Sequence, residues 1–406
     1  MNAPRFILAA IAFAAAQVAP AQATLPPVHP VGRFLATSSE PLVFVFGIYQ
    51  LRDGRVLVND IDGRRLLLLD SMLTHPVNVI DMTGTAARNY PSRAGPLLPF
   101  RADSTLLLDE DALAFLLVDP LGAIARVVSL PTTDMTALTA DLIGMDGGTG
   151  IIFRQAGPPR PPPVPASGAT ARSLGPPISD SAAIVRTDLV THRTDTLAFL
   201  KLPSSYPSGT RTDSTGFLFR NWPSINPLPV ADGWCVLSDG TLAVVRGQDF
   251  HIDWIAPDHS HAASAKLPHE WRRLSDSDKV VLIDSLRSYY GQPGHGYAMT
   301  QSYGDGPPHT LVGAPDLPDP AVIGDYRPAF APSGVRADAD GNVWIREPAS
   351  AATAAGPIWD VVSRREGLFD RVQIPGGTSI VGFGPNVVYL SSRLGASVSL
   401  VKARIR

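Results

Sequence analysis

Short apolar runs, bounded by Gly, Asp, Pro and Ser, recur along the chain from residue 43 to the C-terminus. Runs of that length and composition predict β-strands rather than helices. Their spacing is regular. Six times a turn leads into a strand that ends on polar residues: from Asp53-Gly54 to Asp60, from Asp103-Ser104 to Glu110, from Gly147-Gly148 to Gln155, from Asp239-Gly240 to Arg246, from Asp340-Gly341 to Glu347, and from Gly384-Pro385 to Ser392. Asp-Gly suits such turns, because Gly takes positive φ without penalty and Asp bonds its own following backbone.

Around each copy the pattern supplies further strands. The first unit reads as 43–51, 55–60, 65–70 and 77–81. The second has 105–109, 113–119 and 123–130, with a short first strand near Phe100; the third has 151–154, 183–187 and 194–200. The fourth runs 234–237, 241–246, 250–256 and 262–267, and the fifth 334–337, 343–346, 358–363 and 369–374. The sixth has 380–383, 387–391 and 398–405 and stops one strand short, while residues 31–36 form a strand-length piece with no unit of their own. A repeat of this period predicts an all-β, six-bladed β-propeller of four-stranded antiparallel blades. The N-terminal strand then completes the last blade, which removes the exposed edges of an open array.

The period is broken in three places: residues 155–177 (with Pro161-Pro-Pro163), 203–229 and 268–332. The last break opens on a helix signal, with Ser275 as N-cap, Asp276 and Asp278 in the first turn, and Arg287 near the end. In a blade with strands in the order a to d, the b–c loops and the d–a crossings leave on one face. All three breaks fall at such junctions, so one face carries them together, and loops of this length are binding elements or disordered.

Composition narrows the setting. Residues 1–5 carry one positive charge, 6–18 are apolar and Ala-rich, and Ala21-Gln22-Ala23 fits a cleavage site. That pattern predicts a secretory signal peptide removed after Ala23, leaving residues 24–406 as one propeller domain in a bacterial periplasm or exterior. The apolar stretch is too short for a span of roughly 20 residues. A net charge of −3 gives no reason to expect nucleic acid or an anionic membrane as partner, and a monomer is expected. The single cysteine, Cys235, lies in the apolar run 234–237 and reads as a small buried hydrophobe.

Candidate chemistry gathers at the polar ends of the b strands: Asn59/Asp60, Asp109/Glu110, Arg154/Gln155, Arg246, Arg346/Glu347 and Ser391/Ser392. Arg154, Arg246 and Arg346 could hold an anion in bidentate fashion. Alternatively they pair with Asp60, Asp109 and Glu347 and tie blades together. A second cluster runs from Asp249 to Trp254, where strand alternation puts Asp249, His251 and Asp253 on one face. Same-face residues lie ~6.6 Å apart, so a hydrogen bond from His251 to one of the two aspartates is expected rather than a three-residue metal site. Trp271, with Arg272 and Arg273, caps the pore or docks the inserted helix.

With the runs 340–345, 53–58 and 239–244, the chain resembles the six-bladed β-propeller superfamily that includes NHL-repeat, TolB-like and SMP-30/gluconolactonase-like proteins, over most of residues 31–406. Similarity to secreted bacterial propellers of unassigned function is closer, notably from Asp249 to Trp254 and in the helix after Trp271. The gluconolactonase-like members imply a divalent metal such as calcium in the pore, for which Glu40, Asn59, Asp60 and Asp109 stand here; their Glu-Gly-Pro pattern is replaced by Ser39-Glu-Pro41. The expected function is a non-catalytic propeller without cofactor that binds a protein partner or small anionic ligand on the inserted face. The alternative is a metal-assisted hydrolase or lyase centred on the pore.

Overall fold

The computed structural model describes residues 25–83, 89–130, 143–155, 180–204, 209–302, 306–331, 333–350, 353–395 and 397–406. Six sheets succeed one another as blades, and their strand order follows the chain. Blade one is Val45–Gln50, Val56–Asp60, Arg65–Leu69 and Val77–Ile80; blade two is Ala94–Pro99, Thr105–Asp109, Ala114–Val118 and Ile124–Ser129. Blade three is Ile143–Met145, Gly150–Arg154, Ser181–Asp188 and Thr194–Lys201, and blade four is Gly233–Val236, Leu242–Val245, Ile252–Ile255 and His261–Ala263. Blade five is Val335–Ala337, Val343–Arg346, Ile358–Ser363 and Gly367–Gln373. Blade six is Thr378–Gly384, Val387–Leu394 and Ser397–Arg404, completed by Phe34–Thr37 from the N-terminus.

The ring is closed by its core. Because each strand alternates its side chains, every blade has two apolar faces to bury, one against each neighbour. Six hydrophobic clusters result, one for each adjacent pair of blades. The cluster joining blade six to blade one holds Tyr389, Leu400, Val56 and Leu67, all fully or nearly fully buried. Inner strands approach closely there: a Cβ on Gly382 would stand 2.5 Å from Ile48 Cγ1.

The Asp-Gly turns form as expected. Gly54, Gly240 and Gly341 take φ of 90°, 81° and 84°, and the Asp53 and Asp239 carboxylates accept the amide two residues on, both at 3.0 Å. The closing strand starts three residues later than the expected 31–36 and ends one residue later, pairing Phe34 with Ala403 and Thr37 with Val401. The reason is a use for the preceding residues that periodicity could not show. Val28–Pro30 adds to the edge of blade five as a parallel fifth strand, with Val28 beside Arg371, and His29 Nε2 lies 2.9 Å from Asp370 Oδ1. The N-terminal segment thus spans the seam between blades five and six.

Two of the three breaks pack on each other. Leu218–Phe219 and Arg211–Thr212 form a small hairpin, Tyr297–Gln301 and His309–Gly313 another. Between them Trp222 Nε1 donates to Ala314 O (2.8 Å) and Gly209 N to Asp316 Oδ2 (2.9 Å). The helix Asp276–Tyr290 begins with the capping box of Ser275 and Asp278, and buries Lys279 and Ile283. Lys279 Nζ reaches Asp325 at 2.6 Å. The third break, 155–177, lies outside the described residues beyond Gln155. Among the described residues no helix is long and apolar enough to cross a membrane.

Candidate functional site

The polar b-strand ends do not form one ring of facing groups; most are engaged within their own blade or at its seam. Asp60, fully buried, accepts Val43 N at 3.0 Å, Phe44 N at 2.9 Å and Arg65 Nε at 2.9 Å. Arg65 also binds Glu40 Oε1 at 2.7 Å. Asn59 donates to Gly95 O (2.9 Å) and accepts from the Tyr90 hydroxyl, joining blades one and two. Asp109 accepts two amides of its own turn, Asp111 N and Ala112 N. The four residues suggested for a divalent ion therefore have backbone amides, Arg65 and the Tyr90 hydroxyl on their oxygens or stand in separate turns, and as a set they do not fit a metal cage.

Arg246 acts as a tie, with partners other than those expected. Its Nη1 lies 2.7 Å from Asp232 Oδ2 and 2.8 Å from Phe199 O of blade three, and its Nε lies 2.7 Å from Asp253 Oδ2. Burial works against its charge, but the Asp253 and Asp232 carboxylates more than offset that and hold its pKa above the ordinary value. Asp253 also faces His251 Nε2 at 3.3 Å, whereas Asp249 points away to Lys266. Replacing Arg246 by Ala should leave Asp232 uncompensated at the blade three–four seam and lower stability by about 2–4 kcal/mol without any ligand. Chemical denaturation checks this, and an unchanged midpoint would remove the tie. Cys235 is buried and its thiol is pushed up to about 12 by that burial, in keeping with an inert packing role. Arg154 ends its strand beside residues outside the described set.

Charged groups converge elsewhere, in a cleft between the insertion and blade five. His269, Glu270 and Arg272 follow blade four, Arg327 closes the insertion, and Glu347, Asp360 and Arg371 rise from successive strands of blade five. Its enclosed volume is about 30 Å³, room for one small polar group. On the floor Arg371 binds Glu347 Oε1 and lies 3.2 Å from Asp360 Oδ1. Burial, with the Glu347 carboxylate beside it, pushes Asp360 up to about 7 in spite of Arg371. Arg272 is held by Glu270 at 2.6 Å, and burial lowers the His269 pKa. Arg327 donates only to Ala349 O (2.9 Å) and meets no carboxylate within ion-pair distance among the described residues.

Trp271 stands between Glu270 and Arg272, which line the cleft. It is 68% exposed, its ring centroid is 4.4 Å from His269, and Tyr326 stands edge-on to it at 5.8 Å. The sequence reading missed Asp360 and Arg371. For Asp360 the signal was there, a carboxylate inside the apolar run 358–362, whereas Arg371 lies beside Asp370 in a mixed strand and gave none. A wider groove of about 560 Å³ lies between blades five and six on the opposite face, lined by Asp340, Phe369, Asn386, Lys402 and Arg404. The insertions therefore do not mark the one concave surface.

No family model and no curated protein matches the chain. Among solved structures it is similar to a gluconolactonase from Xanthomonas campestris, with 13% identity, 95% of this chain and 99% of that one covered, and a TM-score of 0.39. A calcium-binding protein, regucalcin, from Agrobacterium tumefaciens is similar at 12% identity, with 93% and 98% covered and a TM-score of 0.40. A DUF4221 family member from Bacteroides vulgatus is similar at 10% identity, with 93% and 98% covered and a TM-score of 0.47. At these values the activities of those proteins do not transfer. The chain is, by its own six sheets and six inter-blade cores, a six-bladed β-propeller.

Proposed function

We propose that the protein is a secreted, non-catalytic propeller that binds a small carboxylate-bearing ligand in the cleft between the insertion and blade five. The observation that carries this reading is Arg327, a guanidinium in the cleft lining with no carboxylate within ion-pair distance among the described residues, whereas Arg272 and Arg371 are engaged by Glu270, Glu347 and Asp360. A guanidinium fork suits a carboxylate in bidentate geometry. The small enclosed volume takes the head group, and the exposed Trp271 and Tyr326 rings offer an apolar surface to the body of the ligand. Binding rather than turnover is supported by the floor, where Glu347, Asp360 and Arg371 are engaged with one another. Secretion is supported by the charged, apolar and small-residue pattern of residues 1–23.

Phenylacetate, benzoate and glucuronate are suitable probes, read by thermal shift and by the fluorescence of Trp271. At least one should raise the melting temperature saturably and perturb the emission. Arg327→Ala should weaken that probe by about tenfold or more, and Trp271→Ala should remove the fluorescence response. No response to any of the three, or an Arg327→Ala variant that binds as well as the parent, would sink the reading.

A further inference from the structure

Blade five carries a second cluster of cationic and donor groups, on the face it turns toward blade six. Arg336 lies on the inner strand opposite Trp344, and Arg346 lies on the next strand opposite Trp359. Trp344 and Trp359 both belong to the core between blades five and six, so strand alternation puts Arg336 and Arg346 on that same face, one diagonal apart. Neither guanidinium meets a carboxylate within ion-pair distance among the described residues. Among the described residues Arg336 donates only to the carbonyls of Val335 (3.1 Å) and Ser333 (3.5 Å).

Two further features favour a ligand here. Trp359 is 6% exposed, and its indole N–H is buried with no acceptor among the described residues. Gly334 faces Arg346 across the strand pair, its carbonyl accepting Arg346 N at 2.7 Å. A Cβ on Gly334 would stand 2.5 Å from Arg346 Cβ and 3.2 Å from its Nε, so the missing side chain is what gives the guanidinium its place. Among the described residues the two guanidinium groups have no carboxylate partner and the indole N–H has no acceptor, and an unmatched charge or donor costs free energy when it leaves water. An oxyanion would satisfy all three at once.

We propose that Arg336, Arg346 and the Trp359 indole N–H form a binding site for a small oxyanion, carboxylate or phosphate, on blade five. Burial lowers the Arg336 pKa, and the neighbouring Arg346 lowers it further. The site does not depend on the cleft at Arg327, which lies on the other side of the same blade.

The test is a melting series in which sodium phosphate, or separately sodium acetate, replaces sodium chloride at constant ionic strength. The parent protein should show a saturable rise of about 2 °C or more with at least one of them. The two arms tell phosphate from carboxylate. Arg346→Met should abolish the rise and melt no lower than the parent in chloride alone, because it relieves the repulsion. Arg336→Lys keeps the charge but loses the planar fork, and should weaken the apparent affinity about tenfold. Parent and variants are compared throughout in the Arg327→Ala background, which removes the carboxylate subsite of the cleft, so that the rise read there belongs to this site alone. A parent insensitive to both anions, or an Arg346→Met variant that responds like the parent, would overturn the assignment.

Discussion

Replacing Arg371 by Met is expected to lower the unfolding free energy by about 3–5 kcal/mol at pH 8, the largest loss from a single side chain here. Arg371 is the sole cation bound to Glu347 and Asp360 in the described structure, and both carboxylates are largely buried. It also donates to Pro26 O (3.4 Å), so the same change loosens the N-terminal strand Val28–Pro30. Removing the guanidinium leaves two acids facing each other in low dielectric. One proton shared between them relieves most of that repulsion, so the penalty should shrink markedly at pH 5. Urea titrations at the two pH values measure the difference. A loss below about 1 kcal/mol at pH 8, or an equal loss at both pH values, would contradict the role given to the triad.

The second large effect concerns Asp360 itself. Its folded pKa, about 7, lies above the ordinary carboxylate value, chiefly because of burial and then because of Glu347. Between about pH 4 and pH 7 the folded state keeps a proton that the unfolded chain has released. Stability from this group is therefore full below about pH 4 and declines as pH rises toward 7, with a slope approaching about 1.4 kcal/mol per pH unit. Asp360→Asn cannot titrate and keeps the shape of the side chain. It should flatten that slope and be more stable than the parent at pH 8. Melting curves from pH 4 to pH 8 decide the matter, and a variant less stable than the parent at pH 8 would show that the ionised Asp360–Arg371 pair is net favourable instead.

The Arg371 and Asp360 changes act in the cleft that also holds Arg327, and the oxyanion test probes the other face of blade five. Arg371 and Asp360 face blade four and floor the cleft, whereas Arg336 and Arg346 face blade six. The adjacent residues Arg346 and Glu347 part to opposite faces because strand side chains alternate. One rim position in the sequence therefore serves two sites.

The sequence by itself determined the ring. Turn chemistry at Asp53-Gly54, Asp239-Gly240 and Asp340-Gly341, with apolar alternation beside each, specifies local strand pairing, and six repeats of it leave a propeller as the way to bury every face. The helix at Asp276–Tyr290 was equally legible, since its Ser275 cap is a local signal. The inner strand Ile143–Met145 of blade three was not, being too short to show a period. What tertiary structure decided was partnership. Arg246 was read as an anion ligand or as a tie to Asp60, Asp109 or Glu347, but its partners Asp232 and Asp253 depend on how blades three and four meet. Asp360, Arg371 and Arg327 are 11 to 44 positions apart in the chain and share a cleft only because the insertion folds back over blade five. Charge pairing is set by distances between residues remote in sequence, and no local periodicity encodes those distances.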